Sequence, residues 1–135
     1  MASSPEANKS LTGVWNGMYT YPNSGEPVFF VATLIEAGNF ISGTTHETTA
    51  TMDASKKTLY AMLSGTRGSG NVLFTKSYDG TAGWNHKVEY DGALNGEATE
   101  IEGQWNINGL LQGRFMMMRN PGKEVAVKRV VFETV

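Results

Sequence analysis

Apolar and polar residues alternate along short segments of the chain, which is the pattern of β-strands with one buried face and one wet face. The alternation is clearest in two segments, whose apolar faces carry Trp84, His86, Val88 and Tyr90, and Ile101, Gly103, Trp105 and Ile107. Residues 28–35 and 125–132 are apolar on both faces. That pattern predicts burial from two sides, as at an oligomer interface.

Turn-forming residues separate these segments, and several are Asp-Gly or Asn-Gly pairs that favour tight hairpins. They include Asp79-Gly80, Asp91-Gly92 and Asn108-Gly109, while Asn95-Gly96 fits either a turn or a bulge. Short links join antiparallel neighbours, so the strand order is up-and-down. We place strands near residues 11–21, 27–37, 39–50, 57–67, 71–79, 83–91, 97–107, 109–119 and 124–134.

An apolar residue, a polar residue and then Gly recur at irregular spacing, as in Ile41-Ser42-Gly43, Leu63-Ser64-Gly65 and Ile101-Glu102-Gly103. Glycines inside strands mark places where a sheet bends sharply. Irregular spacing excludes a solenoid, and closure of the sheet removes aggregation-prone edges. The sequence therefore predicts an all-β fold, a closed antiparallel up-and-down β-barrel of eight to ten strands.

Composition and charge narrow the class of protein. With 135 residues, we expect residues 1–10 to form a flexible N-terminal arm and residues 11–135 a single barrel domain. The chain has no Cys, and its 11 Lys and Arg are balanced by 13 Asp and Glu without a run of like charge. We therefore expect no disulfide, no nucleic-acid partner and no membrane association. The start lacks a signal-peptide pattern, so we expect a cytoplasmic protein.

Enzyme signatures such as a Gly-x-Ser-x-Gly elbow or a Walker loop are missing. The sequence thus favours a binding protein. An acid–base pair made from Glu47, a Tyr and either His46 or His86 keeps a barrel enzyme for a small hydrophobic substrate open as an alternative. Neither His has a second ligand at a metal-binding spacing, and we expect no metal and no cofactor.

Short pieces of the chain resemble the avidin/streptavidin family of small β-barrels, within the broader calycin-like group. These pieces are Leu11-Thr12-Gly13-Val14-Trp15-Asn16, Ile41-Ser42-Gly43-Thr44-Thr45, Leu63-Ser64-Gly65-Thr66-Arg67 and Ile101-Glu102-Gly103-Gln104-Trp105. The resemblance implies that Trp15 closes one end of the barrel against a basic residue of a late strand, Arg114 or Arg119.

The resemblance also implies a ligand site inside the barrel, but most biotin-binding positions of the family differ here. Gly17, Thr45, Glu47 and Ile101 stand where the family has Asn, Tyr, Ser and Trp, so we expect no biotin binding. Gly13-Val14-Trp15-Asn16-Gly17 is also similar to the start of nitrobindin, a haem-binding barrel. That family's iron ligand is a His near the C-terminus, whereas the last His here is His86.

If the family's alternation applies, hydroxyl, aromatic and charged side chains face a cavity and bind a small, partly apolar or amphipathic ligand. The predicted ligand-binding residues are Tyr19, Thr45, Glu47, Arg67, Trp105 and Phe115. In this hypothesis Glu47 and Arg67 hold the polar end of the ligand. In the alternative, those two residues form a salt bridge that plugs a filled barrel, or their side chains reach solvent at a barrel mouth, and the protein has a structural or interaction role. In either case we expect a homodimer or homotetramer.

Overall fold

The computed structural model describes residues 9–23, 25–50, 56–80 and 86–119, which form antiparallel β-strands without an α-helix. The strands are β1 (Gly13–Thr20), β2 (Val28–Ala37), β3 (Phe40–Ala50), β4 (Lys56–Arg67), β5 (Asn71–Tyr78), β6 (Lys87–Leu94), β7 (Glu100–Ile107) and β8 (Leu111–Met118). Each strand pairs with the next, and β1 also pairs with β8, which closes the barrel. The predicted fold class is confirmed.

One predicted turn is wrong, because Asp91 and Gly92 lie inside β6 and pair with β5. Gly92 faces inward, and the space beside its Cα is filled by the side chains of Ile101 and Phe115. The chain turns instead at Asn95, whose Oδ1 accepts hydrogen bonds from the backbone amides of Thr99 and Glu100. Trp84 and the predicted strand 124–134 lie outside the described residues, as do residues 1–8 of the predicted arm.

Two of the strand glycines lie where neighbouring backbones approach closely. A Cβ at Gly65 would collide with the backbone of Leu73 and Phe74, and a Cβ at Gly103 would collide with the backbone of Asp91. Any larger residue would push the strands apart at these points. These glycines therefore allow the sheet to close tightly.

Trp15 closes one end of the barrel, which we call the Trp15 end. The indole is fully buried, and its Nε1 donates a hydrogen bond to the carbonyl of Leu11 at 2.9 Å. The guanidinium of Arg119 lies 4.8 Å from the ring and donates to the carbonyl of Ala98 at 2.8 Å. Of the two basic partners considered, Arg119 is the one observed, while Arg114 is exposed on β8.

The opposite end is marked by Tyr21, just beyond the last residue of β1, and we call it the Tyr21 end. The chain passes there from β1 to β2, from β3 to β4, from β5 to β6 and from β7 to β8. The part of the chain that the structure describes contains no helix long and apolar enough to cross a membrane.

Candidate functional site

The barrel interior contains a carboxylate on β3 and an ammonium group on β5, two strands that flank β4. Alternation along β3 and β5 turns Glu47 and Lys76 inward, where they are only 2% and 1% exposed. Lys76 Nζ lies 2.7 Å from Glu47 Oε1, so the two charges form a buried ion pair. Taking both charges out of water is costly, and the pair is retained because each charge has close partners.

Two tyrosine hydroxyls complete the coordination of the Glu47 carboxylate. Tyr19 donates to Oε2 at 2.5 Å, and Tyr78 donates to Oε1 at 2.9 Å. Together with Lys76, these donors engage both carboxylate oxygens. We call Glu47, Lys76, Tyr19 and Tyr78 the polar cluster; its two formal charges cancel, so it is neutral as a whole.

Aromatic rings surround the Lys76 ammonium on the sides that Glu47 leaves open. Its Nζ lies 4.7 Å from the centre of the Phe30 ring and 4.9 to 5.2 Å from the rings of Tyr78 and Tyr19. The Tyr90 ring is 6.0 Å away. Such ring faces attract a cation, most strongly where water is excluded. The cluster thus combines an ion pair with an aromatic cage.

Burial changes the acid–base properties of the cluster. It lowers the pKa of Lys76, while the carboxylate of Glu47 opposes this effect. Burial is also the largest cause of the raised pKa of Tyr19 and of Tyr78, to which the Glu47 charge adds. Both tyrosines therefore stay protonated at any physiological pH and act as hydrogen-bond donors.

Thr45 lies two residues before Glu47 on the same inward face of β3. Its side chain is 2% exposed, yet its hydroxyl oxygen has no hydrogen-bond partner. The residues paired with Thr45 on the flanking strands are Ala32 and Ala61, which are buried and carry no polar side-chain atom. A buried hydroxyl without a partner costs about 1–3 kcal/mol. Thr45 therefore places a hydroxyl without a hydrogen-bond partner in a wall of small side chains.

Tyr21 and Trp105 cover the cluster at the Tyr21 end. Their rings meet edge to face at 5.3 Å, and Trp105 Nε1 crosses β8 to donate to the carbonyl of Thr20 at 3.1 Å. It crosses above Gly113, where a Cβ would collide with the indole. Tyr21 is only partly buried. On the outer surface of this rim lies a groove of about 380 Å³ lined in part by Tyr21 and Gln112.

Arg67 lies apart from the polar cluster, so the structure does not bring Glu47 and Arg67 together. Arg67 faces inward at the Trp15 end, where its Nη1 lies 3.2 Å from Glu36 Oε1 and 2.7 Å from the carbonyl of Lys9. The expected ion pair of Glu47 with Arg67 is therefore wrong. Alternation turns both residues inward, but they stand twenty positions apart on β3 and β4 and at different heights in the barrel.

The other predicted site residues are all buried, and their neighbours differ. Tyr19, Thr45 and Trp105 lie in or beside the polar cluster, as described above. Phe115 packs edge to face against Tyr90 at 4.8 Å and against Phe74 at 6.0 Å, so it supports the aromatic cage from behind. On the β1–β8 ladder it is also paired directly with Tyr19 of the polar cluster.

Lys76 and Tyr78 are members of the site that were not predicted from the sequence. Both belong to β5, where Val72, Phe74, Lys76 and Tyr78 alternate with exposed or half-exposed residues. A lysine at the same alternating positions as three apolar residues is the signal that could have revealed that Lys76 faces inward. The two histidines differ: His46 is exposed on the outer face near the Tyr60 ring, whereas the ring of His86 lies 4.9 Å from the Tyr78 ring. Burial and the Lys76 charge lower the pKa of His86, and the Glu47 charge opposes this effect.

Within the described residues, no group of three or more His, Asp or Glu side chains converges as a metal site would require. The arrangement offers a neutral polar cluster, an unpartnered hydroxyl and aromatic walls. These features can bind a molecule by hydrogen bonds and ring contacts.

Comparison with known proteins supports the fold. The chain is similar to the solved structure of a redesigned β-barrel, with a TM-score of 0.66 and 13% sequence identity, covering 88% of this chain and 99% of the designed one. No protein-family model and no curated protein matches the sequence. At this identity the likeness to the designed protein shows a shared fold alone.

Proposed function

We propose that this chain is a non-enzymatic, avidin-like or calycin-like barrel that binds a small, partly apolar molecule in its interior, and that the molecule is not biotin. The observation that carries the proposal is the buried, unpartnered hydroxyl of Thr45. Proteins rarely leave such a group without a partner, and a bound ligand would supply one.

The charge balance of the polar cluster indicates what kind of molecule would fit. Lys76 already neutralises Glu47, and Tyr78 and Tyr19 each donate a hydrogen bond to one of its two carboxylate oxygens. A charged ligand would bring an unpaired charge into the interior, which is strongly unfavourable. The proposed ligand is therefore neutral, with one hydroxyl, carbonyl or amide group for Thr45 and an apolar body for the wall of small side chains beside it.

The two ends of the barrel differ in a way that favours one route of entry. At the Trp15 end, Arg119 and the Arg67–Glu36 ion pair bridge the N-terminal residues to the strands. At the Tyr21 end, the partly buried Tyr21 ring stands over the cluster and meets the Tyr19 ring edge to face at 5.8 Å. Of the two side chains that cover the cluster at this end, Tyr21 is the less buried and Trp105 is only 2% exposed. We therefore propose entry past Tyr21.

A variant that removes only the hydroxyl tests the proposal. Thr45→Val keeps the shape of the side chain and removes the unpaired oxygen, so the ligand-free protein should become about 1–2 kcal/mol more stable. A ligand that binds only the folded state raises the free energy of unfolding. Wild-type protein purified from its own host should therefore unfold at a higher temperature than the same protein refolded from urea.

In Thr45→Val this difference between purified and refolded protein should shrink or vanish. Thr66→Val, which alters an exposed threonine on β4, is the matched control and should behave like the wild type. Two results would overturn the proposal: no difference between purified and refolded wild type, or an undiminished difference in Thr45→Val.

A further inference from the structure

The outer surface of the barrel is divided sharply by charge. Outward side chains on β6, β7 and β8 include several ionised groups, namely Lys87, Glu89, Asp91, Glu100, Glu102 and Arg114. On β1 to β5, by contrast, none of the outward side chains that the structure describes is ionised at neutral pH, with His taken as neutral. We call these described outward side chains of β1 to β5 the uncharged face.

The uncharged face also carries most of the large apolar side chains that the described residues expose. Six of them are between 54% and 70% exposed, and they are Val14, Phe29, Ile35, Phe40, Tyr60 and Met62. Uncharged residues lie between them: Thr33 pairs with both Val14 and Thr44, and Thr44 pairs with Met62. The exposed apolar groups are thus interspersed with uncharged polar residues around the barrel wall.

The exposed area is large enough for a stable contact. An aromatic side chain has about 200 Å² of surface, so each ring on this face exposes roughly 100 Å². The six side chains together expose about 600 Å², which is the area per partner at the lower end of stable two-protein interfaces. Soluble monomers rarely leave a larger apolar patch open to water.

We propose that the uncharged face is the interface through which two copies of this chain form a dimer. In a twofold dimer the same surface meets itself, so every ionised residue near the axis faces a like charge. A surface without ionised groups avoids that repulsion. A different protein partner would instead be matched by complementary charges, which the described side chains of this face lack. The charge pattern therefore favours a second copy.

Single glutamates placed on the two faces test this proposal. Met62→Glu and Phe29→Glu each put a carboxylate on the uncharged face, at side chains exposed enough to be replaced without disturbing the core. Gln104→Glu adds the same charge at an exposed position on β7, outside the proposed interface. Sedimentation velocity over a concentration series, from about 1 to 100 μM, gives the dimer dissociation constant of each protein.

The wild type and Gln104→Glu should sediment at twice the chain mass of 14.7 kDa with similar dissociation constants. Met62→Glu and Phe29→Glu should raise the dissociation constant at least tenfold, while their circular dichroism spectra stay unchanged. Wild-type protein that remains monomeric at 100 μM would overturn the proposal. So would an assembly that Gln104→Glu weakens as much as Met62→Glu does.

Discussion

Replacing Lys76 by Met leaves the Glu47 carboxylate buried without its counter-ion. At 2.7 Å, with an effective dielectric constant of about 20, the attraction between the two charges is about 6 kcal/mol. Most of that attraction offsets the cost of taking both groups out of water. Because the single variant keeps the cost for Glu47 and loses the attraction, we expect Lys76→Met to lower the free energy of unfolding by about 3–5 kcal/mol.

A double-mutant cycle separates the ion pair from the packing around it. Glu47→Gln should cost a similar amount, since it leaves the Lys76 ammonium without its counter-charge. The double variant should cost about 2 kcal/mol or less, because Gln still accepts hydrogen bonds from the tyrosines and both charges are gone. Equilibrium urea unfolding at pH 7, followed by tryptophan fluorescence, measures all four proteins.

Suppose instead that the cost of the double variant equals the sum of the two single-variant costs to within about 0.5 kcal/mol. That result would refute the coupling between Glu47 and Lys76.

Three further predictions concern the rest of the barrel. Trp15→Ala should lower the free energy of unfolding by about 3–5 kcal/mol, measured by urea unfolding; a loss below about 1 kcal/mol would mean that the indole does not close the barrel. Gly103→Ala should cost about 2–3 kcal/mol in the same assay, whereas Gly70→Ala, which meets no atom within 4 Å, should change stability by less than about 0.5 kcal/mol; equal effects would contradict the close strand approach. Above about pH 10.5, the tyrosines of the unfolded chain ionise, whereas the buried tyrosines of the folded chain do not. The free energy of unfolding should therefore fall by about 1.4 kcal/mol per pH unit for each buried tyrosine. The range begins at about pH 10.5 because below it Lys76 contributes a change of the opposite sign. The tyrosines whose pKa burial raises most strongly are Tyr19, Tyr78 and Tyr90. Unfolding curves that are unchanged between pH 10.5 and 11.5 would contradict that assignment.

Alternation and turn chemistry were enough to predict the barrel, because both depend on neighbours in the sequence. Most strand limits agree with the structure to within three residues. The exception is β6, where Asp91-Gly92 has the composition of a hairpin turn. This pair lies inside a strand because of residues distant in sequence: the side chains of Ile101 and Phe115 occupy the space beside Gly92.

The candidate site also combines features that depend on sequence neighbours with features that depend on distant strands. The inward positions of Tyr19, Thr45 and Glu47 follow from alternation along one strand. The partner of Glu47 does not, because the stagger between strands decides which inward side chains meet. That stagger brings Lys76 to Glu47 and leaves Arg67 with Glu36 at the Trp15 end. A single sequence carries no direct signal for it.

Native mass spectrometry of the wild-type protein, purified from its own host without a denaturing step, tests the proposed ligand site most directly. The native mass per chain should exceed the denatured mass by that of a small neutral molecule, and Thr45→Val purified in the same way should carry less of it. Equal native and denatured masses per chain in the wild type would contradict the account, and the barrel interior would then be a filled core.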